Sequence, residues 1–351
     1  MDGRAVSFAS SMPRRLAVAA GVVGIVLAAF VVGGAFMLAS GHDPFAAYVA
    51  MLSYALGTKN GFTEVVVRAI PLTLTGLGVA VAFRAKLFNV GADGQIMIGG
   101  ITAVALVTLA PGLPVWLVPV VFLGVGFVGG GLYGGIAGWL RARYNANEII
   151  VTIMLNYIAL QILAWVVRGP LQEGMKIFPR SDAIPDAAVL GVIVADSRVH
   201  GGLVLALAAT AIIYLMMRHT VFGYQLRVVG ANPVAARFGG VNDRFAIMVA
   251  MALSGALAGL AGVSEVAGIH QRLQDDFAPG FGVAAIAVAL LARLNPLAVP
   301  LAALLFGVLH VGSGVLQRES GIPIPIVWIV EGVVILAFLV FDYLRIRERE
   351  A

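Results

Sequence analysis

Three groups of polar side chains interrupt apolar runs and are placed to do chemistry. Glu148, Thr152 and Asn156 are spaced four apart, so on a helix they share one face. Polar side chains in a membrane helix face other helices or a water-filled cavity. Asn156 lies deepest and is expected to line a pathway, with a helix–helix hydrogen bond as the alternative. Glu148 stands three residues after Asn145, the spacing of an Asn-led capping box, so it is read either as a cap or as a pathway residue. Asn89, Asp93 and Gln95 cluster beside Gly91 and Gly94, where a continuous helix is not expected. Irregular backbone at membrane depth is tolerated only where it is buried in protein or lines a cavity. These residues are therefore pathway candidates, with capping of the following helix as the simpler role. Glu265 is an isolated acid near the outer end of an apolar segment. With Glu331 and His310 it completes the intramembrane ionisable set, functional candidates by default. Glu64 and Arg68, four apart, are expected to pair with each other.

The remaining chemistry is narrow. The five histidines are scattered and lack metal-ligand spacing. There is no cysteine, hence no thiol catalysis or disulfide framework. Neither a G-x-S-x-G elbow nor a G-x-x-x-x-G-K-[ST] phosphate loop is present. The chain is expected not to be an enzyme and to bind no cofactor of its own. If ATP drives it, another chain hydrolyses the ATP.

The elements that hold these residues must be membrane helices. Of 351 residues, 60% are hydrophobic and 12% charged, against about 25% charged in soluble domains. Mean hydropathy is +0.98. No soluble core could hide that much apolar surface, so the solvent is lipid. The pI of about 9.7 encodes topology rather than nucleic-acid binding. Ten apolar segments can be drawn, at 16–40, 63–83, 93–110, 115–140, 147–167, 201–218, 245–269, 280–292, 297–316 and 324–343. The predicted fold is an all-α polytopic membrane protein with about ten transmembrane helices. The first segment is too long for a cleavable signal and is expected to be retained. Arg14/Arg15, Arg84/Lys86, Arg141/Arg143, Arg218 to Arg244, Arg293 and Arg345 to Arg349 fall at alternate ends. Positive charge places those ends, and both termini, in the cytoplasm. Parity then requires both short segments, 93–110 and 280–292, to cross.

The expected organisation is a cytoplasmic tail at 1–15, one transmembrane domain at 16–343 and a basic cytoplasmic tail at 344–351. Within the domain, 168–200 is a small external cap and 220–244 a basic cytoplasmic loop. Gly126, Gly130, Gly134 and Gly138 recur every four residues, a face for close helix packing; Gly255 and Gly259 read the same way. The stretches 76–89 (GLGVAVAFRAKLFN) and 280–295 (GFGVAAIAVALLARLN) suggest a weak internal repeat. Short glycine-interrupted segments in both halves of a transporter point to its substrate path.

The loop, TVFGYQLRVVGANPVAARFGGVNDR, resembles the cytoplasmic coupling loop of bacterial ABC importer permeases, in the branch serving simple sugars, nucleosides and branched-chain amino acids. The stretch 87–95 (LFNVGADGQ) resembles that branch's motif after the second helix, and 282–296 its late conserved block. The stretch 147–157 (NEIIVTIMLNY) is similar to nucleoside-type members, the guanosine and purine nucleoside permeases. This resemblance implies an ATP-driven importer of the bacterial inner membrane, carrying a nucleoside or a simple sugar. It implies a separate ABC ATPase, a second homologous permease subunit in a heterodimer, and a periplasmic or lipid-anchored binding protein that delivers the cargo. Arg227, Gly230, Asn232, Ala235, Ala236, Arg237 and Gly239 would then form the coupling surface. The alternative is an ion-coupled secondary transporter using its intramembrane carboxylates, Asp93, Glu265 and Glu331.

Overall fold

The computed structural model describes residues 14–110 and 112–320, together with 329, 332 and 333. Residues 1–13, Glu331, all of the tenth apolar segment except 329, 332 and 333, and the C-terminal tail lie outside the described residues. What is described is mostly helical. The elements are α1 (Arg14–Ala39), α2 (Pro44–Gly57), α3 (Lys59–Arg84), α4 (Ala92–Leu109), α5 (Val118–Tyr144), α6 (Glu148–Arg168), α7 (Gly202–His219), α8 (Val221–Ala231), α9 (Pro233–Phe238), α10 (Asp243–Glu265), α11 (Phe281–Leu291) and α12 (Val299–Ser320). Among the described residues, seven helices are long and apolar enough to cross a membrane. The chain divides into two units, Met1–Ala50 with Leu316–Ala351, and Met51–Val315.

In the first unit, α1 and the start of α2 meet through Tyr48. Its hydroxyl donates to the Phe30 carbonyl at 2.7 Å, and the two rings pack edge to face. Helix α2 lies between the first two apolar segments, 16–40 and 63–83. At 14 residues it falls below the ~20 needed to span a bilayer, so length alone hides it.

The second unit holds everything that positions the polar groups. Its centre is the packing of α5 on α10. The glycine face of α5 meets Gly255 and Gly259 of α10, backbone against backbone. A Cβ on Gly134 would stand 2.7 Å from the Met251 carbonyl oxygen, and one on Gly138 2.8 Å from the Met251 Cβ. The two glycine runs are therefore each other's partners. In lipid such contacts stabilise by van der Waals packing, because apolar burial adds little there.

The internal repeat acquires an ungapped register. AVAFRAKL (80–87) and AVALLARL (287–294) end helices α3 and α11 in the same way. Lys86 N donates to Phe83 O and Leu87 N to Ala82 O; Arg293 N donates to Leu290 O and Leu294 N to Ala289 O. Lys86 and Arg293 both take φ near +53 to +55°. These paired bonds close a helix C-terminus through a left-handed residue, and the cation at that position complements the dipole. The two stretches also touch: the Arg84 guanidinium donates to the Leu294 carbonyl at 2.9 Å.

After these shared endings the halves diverge. The chain from Leu87 to Gly91 is extended before α4 begins. It packs beside Ser254, the central residue of α10, so non-helical backbone runs at mid-helix depth. Helix α4 is long enough to cross. Helix α11, with 11 residues, rises about 16 Å, half the thickness of the hydrocarbon, and does not cross as a helix by itself.

Candidate functional site

The extended segment creates a problem of unsatisfied backbone, and polar side chains answer it. Asn89 is fully buried. Its amide donates to Gln95 Oε1 at 2.8 Å and to Ser254 Oγ at 2.8 Å. Its oxygen accepts from Gly91 N and from Gln95 Nε2, both at 3.0 Å. Both donors and both acceptor positions of this amide are thus occupied. Asn156 reaches in from α6. Its amide donates to the Val90 carbonyl at 2.9 Å and its oxygen accepts from Gly94 N at 2.8 Å. That pins the extended segment and the first turn of α4 to α6. Thr152, buried one turn earlier, returns its hydroxyl to the Glu148 carbonyl at 2.7 Å, and its Cβ would lie 2.9 Å from a Cβ on Gly91.

Asp93 crosses to the other half. Its carboxylate accepts from Gly282 N at 2.6 Å, in the first turn of α11. Gly280, the residue at the N-cap position, makes no side-chain cap, so Asp93 supplies the missing acceptor from a different helix. A carboxylate is favourable at a helix N-terminus. Of the cluster, Asp93 and Asn156 are partly accessible, whereas Asn89, Gln95 and Thr152 are buried.

The other two candidates stand apart. Glu148 pairs with Arg141 of α5 at 3.4 Å. The N-cap of α6 is Asn147, which accepts from Ile149 N and Ile150 N. Asn145 instead ends α5 in a left-handed conformation at φ 52°, so the anticipated Asn145–Glu148 box is not formed. Glu265 lies buried at the far end of α10, next to a π-helical turn, Val266–His270. One of its oxygens is 3.6 Å from His270 Nε2; the other, and the Nε2 of buried His200, have no hydrogen-bond partner among the described residues. The anticipated Glu64–Arg68 pair is also replaced. Glu64 pairs with Arg198 at 3.4 Å, and Arg68 lies over the Phe281 ring at 5.9 Å.

The loop 168–200 packs on this end through backbone bonds to the π turn and the segment after it: Leu190 N to Ala267 O, Ile184 N to Gln271 O, Ser181 N to Leu273 O. The Arg180 guanidinium, hydrogen-bonded at 2.7 Å, holds the Glu173 carboxyl below the usual carboxylate range. Burial pushes the His200 imidazole below its ordinary value, against the pull of Glu265 in the opposite direction.

At the basic end, the 220–244 loop folds as two short helices. Thr220 caps α8 and Asn232 caps α9. Arg227 donates to the Met217 carbonyl and ties α8 back to α7. A Cβ on Gly230 would strike the Arg84 carbonyl, so that glycine seats α8 on α3. Arg237 pairs with Asp243 at 2.6 Å, and Ala236 is buried. Apart from buried Ala236, every residue from Asn232 to Gly239 is exposed. Phe238 is 91% exposed.

Sequence reasoning missed Ser254, Val234 and Phe238. Ser254 is the lone hydroxyl in the middle of α10, and its isolation was the available signal. An exposed aromatic at a helix end carries no signal without the fold.

The chain matches the family described as branched-chain amino acid transport system / permease component over residues 61–339. It is 38% identical over 331 residues to a glucose ABC transporter permease protein, TsgB13, of Haloferax volcanii, covering 91% of this chain and 87% of that one. It is 36% identical over 310 residues to a guanosine ABC transporter permease protein, NupP, of Bacillus subtilis, covering 87% and 88%. A second protein of that organism with the same descriptive name, NupQ, is 28% identical over 249 residues, covering 69% and 77%. Together with the multi-pass helical fold, these matches show that the chain belongs to this permease family and is the non-enzymatic membrane subunit of an ABC importer.

Proposed function

We propose that this subunit imports a nucleoside across a bacterial inner membrane, with its basic end in the cytoplasm and α9 docked on a separate ATPase. The observation that carries the docking is α9 itself: a capped, six-residue helix that leaves Phe238 and Val234 bare at the end richest in arginine. Arg227, Gly230, Arg237 and Ala236 would fix α8 and α9 to the spans, while Asn232, Ala235 and Gly239 flank the contact. ATP-driven closure of the ATPase would push α9, and α8 would transmit the push to α3 through Gly230.

For the path, Asp93 is the residue that would meet cargo. It is partly accessible and holds the half-length helix α11. Asn89, Gln95, Thr152 and Asn156 keep the extended segment in place behind it; Glu148 and Glu265 brace the two ends. A second, related permease subunit would complete the path. The two Bacillus subtilis relatives sharing one descriptive name support such a pair. A binding protein would deliver the cargo to the 168–200 cap.

A simple sugar is the second reading, favoured by the glucose permease relative. The binding protein encoded beside this chain decides between them. Purified and tested for retained ligand and by calorimetry, it is expected to hold a nucleoside. Affinity for glucose or ribose with none for nucleosides would overturn the choice of cargo.

A further inference from the structure

A cavity of about 440 Å³ opens at the basic end, walled by the C-terminal ends of α3, α5 and α8, by Pro233 and Arg237 of α9, and by the start of α10. Its charged lining is Lys86, Arg141, Arg143, Arg237, Asp243 and Arg244. Two of the cations are already matched, Arg237 by Asp243 at 2.6 Å and Arg141 by Glu148 at 3.4 Å. Lys86, Arg143 and Arg244 make no ion pair among the described residues. Three uncompensated cations from three separate elements therefore share one concave wall.

Simpler causes explain part of this. A cation in the last turn of α5 complements that helix's dipole, and basic residues gather on the cytoplasmic side in any case. Neither cause makes cations from α3, α5 and α10 converge on one cavity, and Arg244 lies at a helix N-terminus, where the dipole disfavours it. The level of the cavity is also informative. Trp139 and Tyr144 flank Arg141 and Arg143 on α5, are substantially exposed, and pack edge to face with centroids 5.4 Å apart. Exposed Trp and Tyr near the end of a span mark the membrane–water interface, where lipid phosphates lie.

We propose that this cavity is a binding site for a phosphate group, carried by an anionic phospholipid headgroup or by a free phosphate compound. Basic pockets between spans on this side bind such headgroups through the same chemistry. The Gly230–Ala231 end of α8 forms part of the wall, so an occupant would brace the element that seats the coupling helix. The site does not depend on what α9 docks against.

The test uses the full chain purified in detergent. Phosphatidylglycerol, phosphatidylcholine, inorganic phosphate and ATP are titrated separately, reading bound adducts by native mass spectrometry and the thermal midpoint. Phosphatidylglycerol is expected to bind and raise the midpoint where phosphatidylcholine does not; a rise with phosphate or ATP instead would support the site and identify a free source. Each lost cation should weaken binding about five-fold, so K86Q/R143Q/R244Q should bind about a hundred-fold more weakly. The single variants K86Q and R244Q cover the case in which the triple variant does not fold. R218Q, whose guanidinium is outside the cavity and bonds Tyr214, should bind like the parent. Undiminished binding in the cavity variants, an equal loss in R218Q, or no preference for any anionic probe would overturn the proposal.

Discussion

The Asn89 amide has no free hydrogen-bonding position, and that decides what a substitution there does. Asn89→Leu would strand Gln95 and Ser254 in a dry interior and leave the Gly91 amide without an acceptor. Buried unsatisfied polar groups cost about 1–3 kcal/mol each. The purified variant should therefore show a lowered thermal midpoint, whereas Ser254→Ala, which removes one contact from the edge of the network, should lower it less. The grouping of Asn89, Asp93 and Gln95 was legible because glycines broke the helix pattern around them. Their partners were not, since Ser254 lies 165 residues away and Gly282 lies 189 from Asp93. Glu148 shows the opposite case: a local spacing suggested a cap, and a cation on the neighbouring helix won the carboxylate.

Helix α9 and the 168–200 cap carry the predictions that belong to elements. Phe238 packs on nothing, so Phe238→Ala should leave stability within about 0.5 kcal/mol. If it anchors the ATPase, the same change should reduce ATP-dependent uptake by at least ten-fold, since a buried aromatic anchor is typically worth 2 kcal/mol or more. Uptake assays beside thermal melts separate the two effects. The cap should loosen in acid. The His200 imidazole is held below its ordinary value by burial, so its contribution is full above about pH 6.5 and is lost as pH falls toward the folded value. Glu173, also shifted downward, by Arg180, adds a second loss that begins below about pH 4.3. Protection factors of 181–192, corrected for the intrinsic pH dependence of exchange, should thus fall between pH 7.5 and 5.5, and His200→Gln should flatten that step. The helix positions were readable from apolar run length, which α2 was too short to satisfy. The repeat was visible but misaligned, because its true register is fixed by how α3 and α11 end rather than by their leading glycines.

For the whole molecule, composition alone required lipid as the solvent, and the spacing of glycines in α5 announced a tight helix contact without naming α10 as the partner. What the pattern could not express was unequal helix length. An extended entry before α4 and a half-length α11 meet at Asp93, giving irregular backbone that buried amides hold in place. Such a join is suited to a path that opens and closes under external force, which the proposed docking of α9 on an ATPase would supply. The direct test is uptake into vesicles containing this subunit with its ATPase, second permease and binding protein. ATP is predicted to drive accumulation of cargo, Phe238→Ala to abolish most of it, and a proton gradient without ATP to drive none. Accumulation on a proton gradient alone, with ATP absent, would contradict the account.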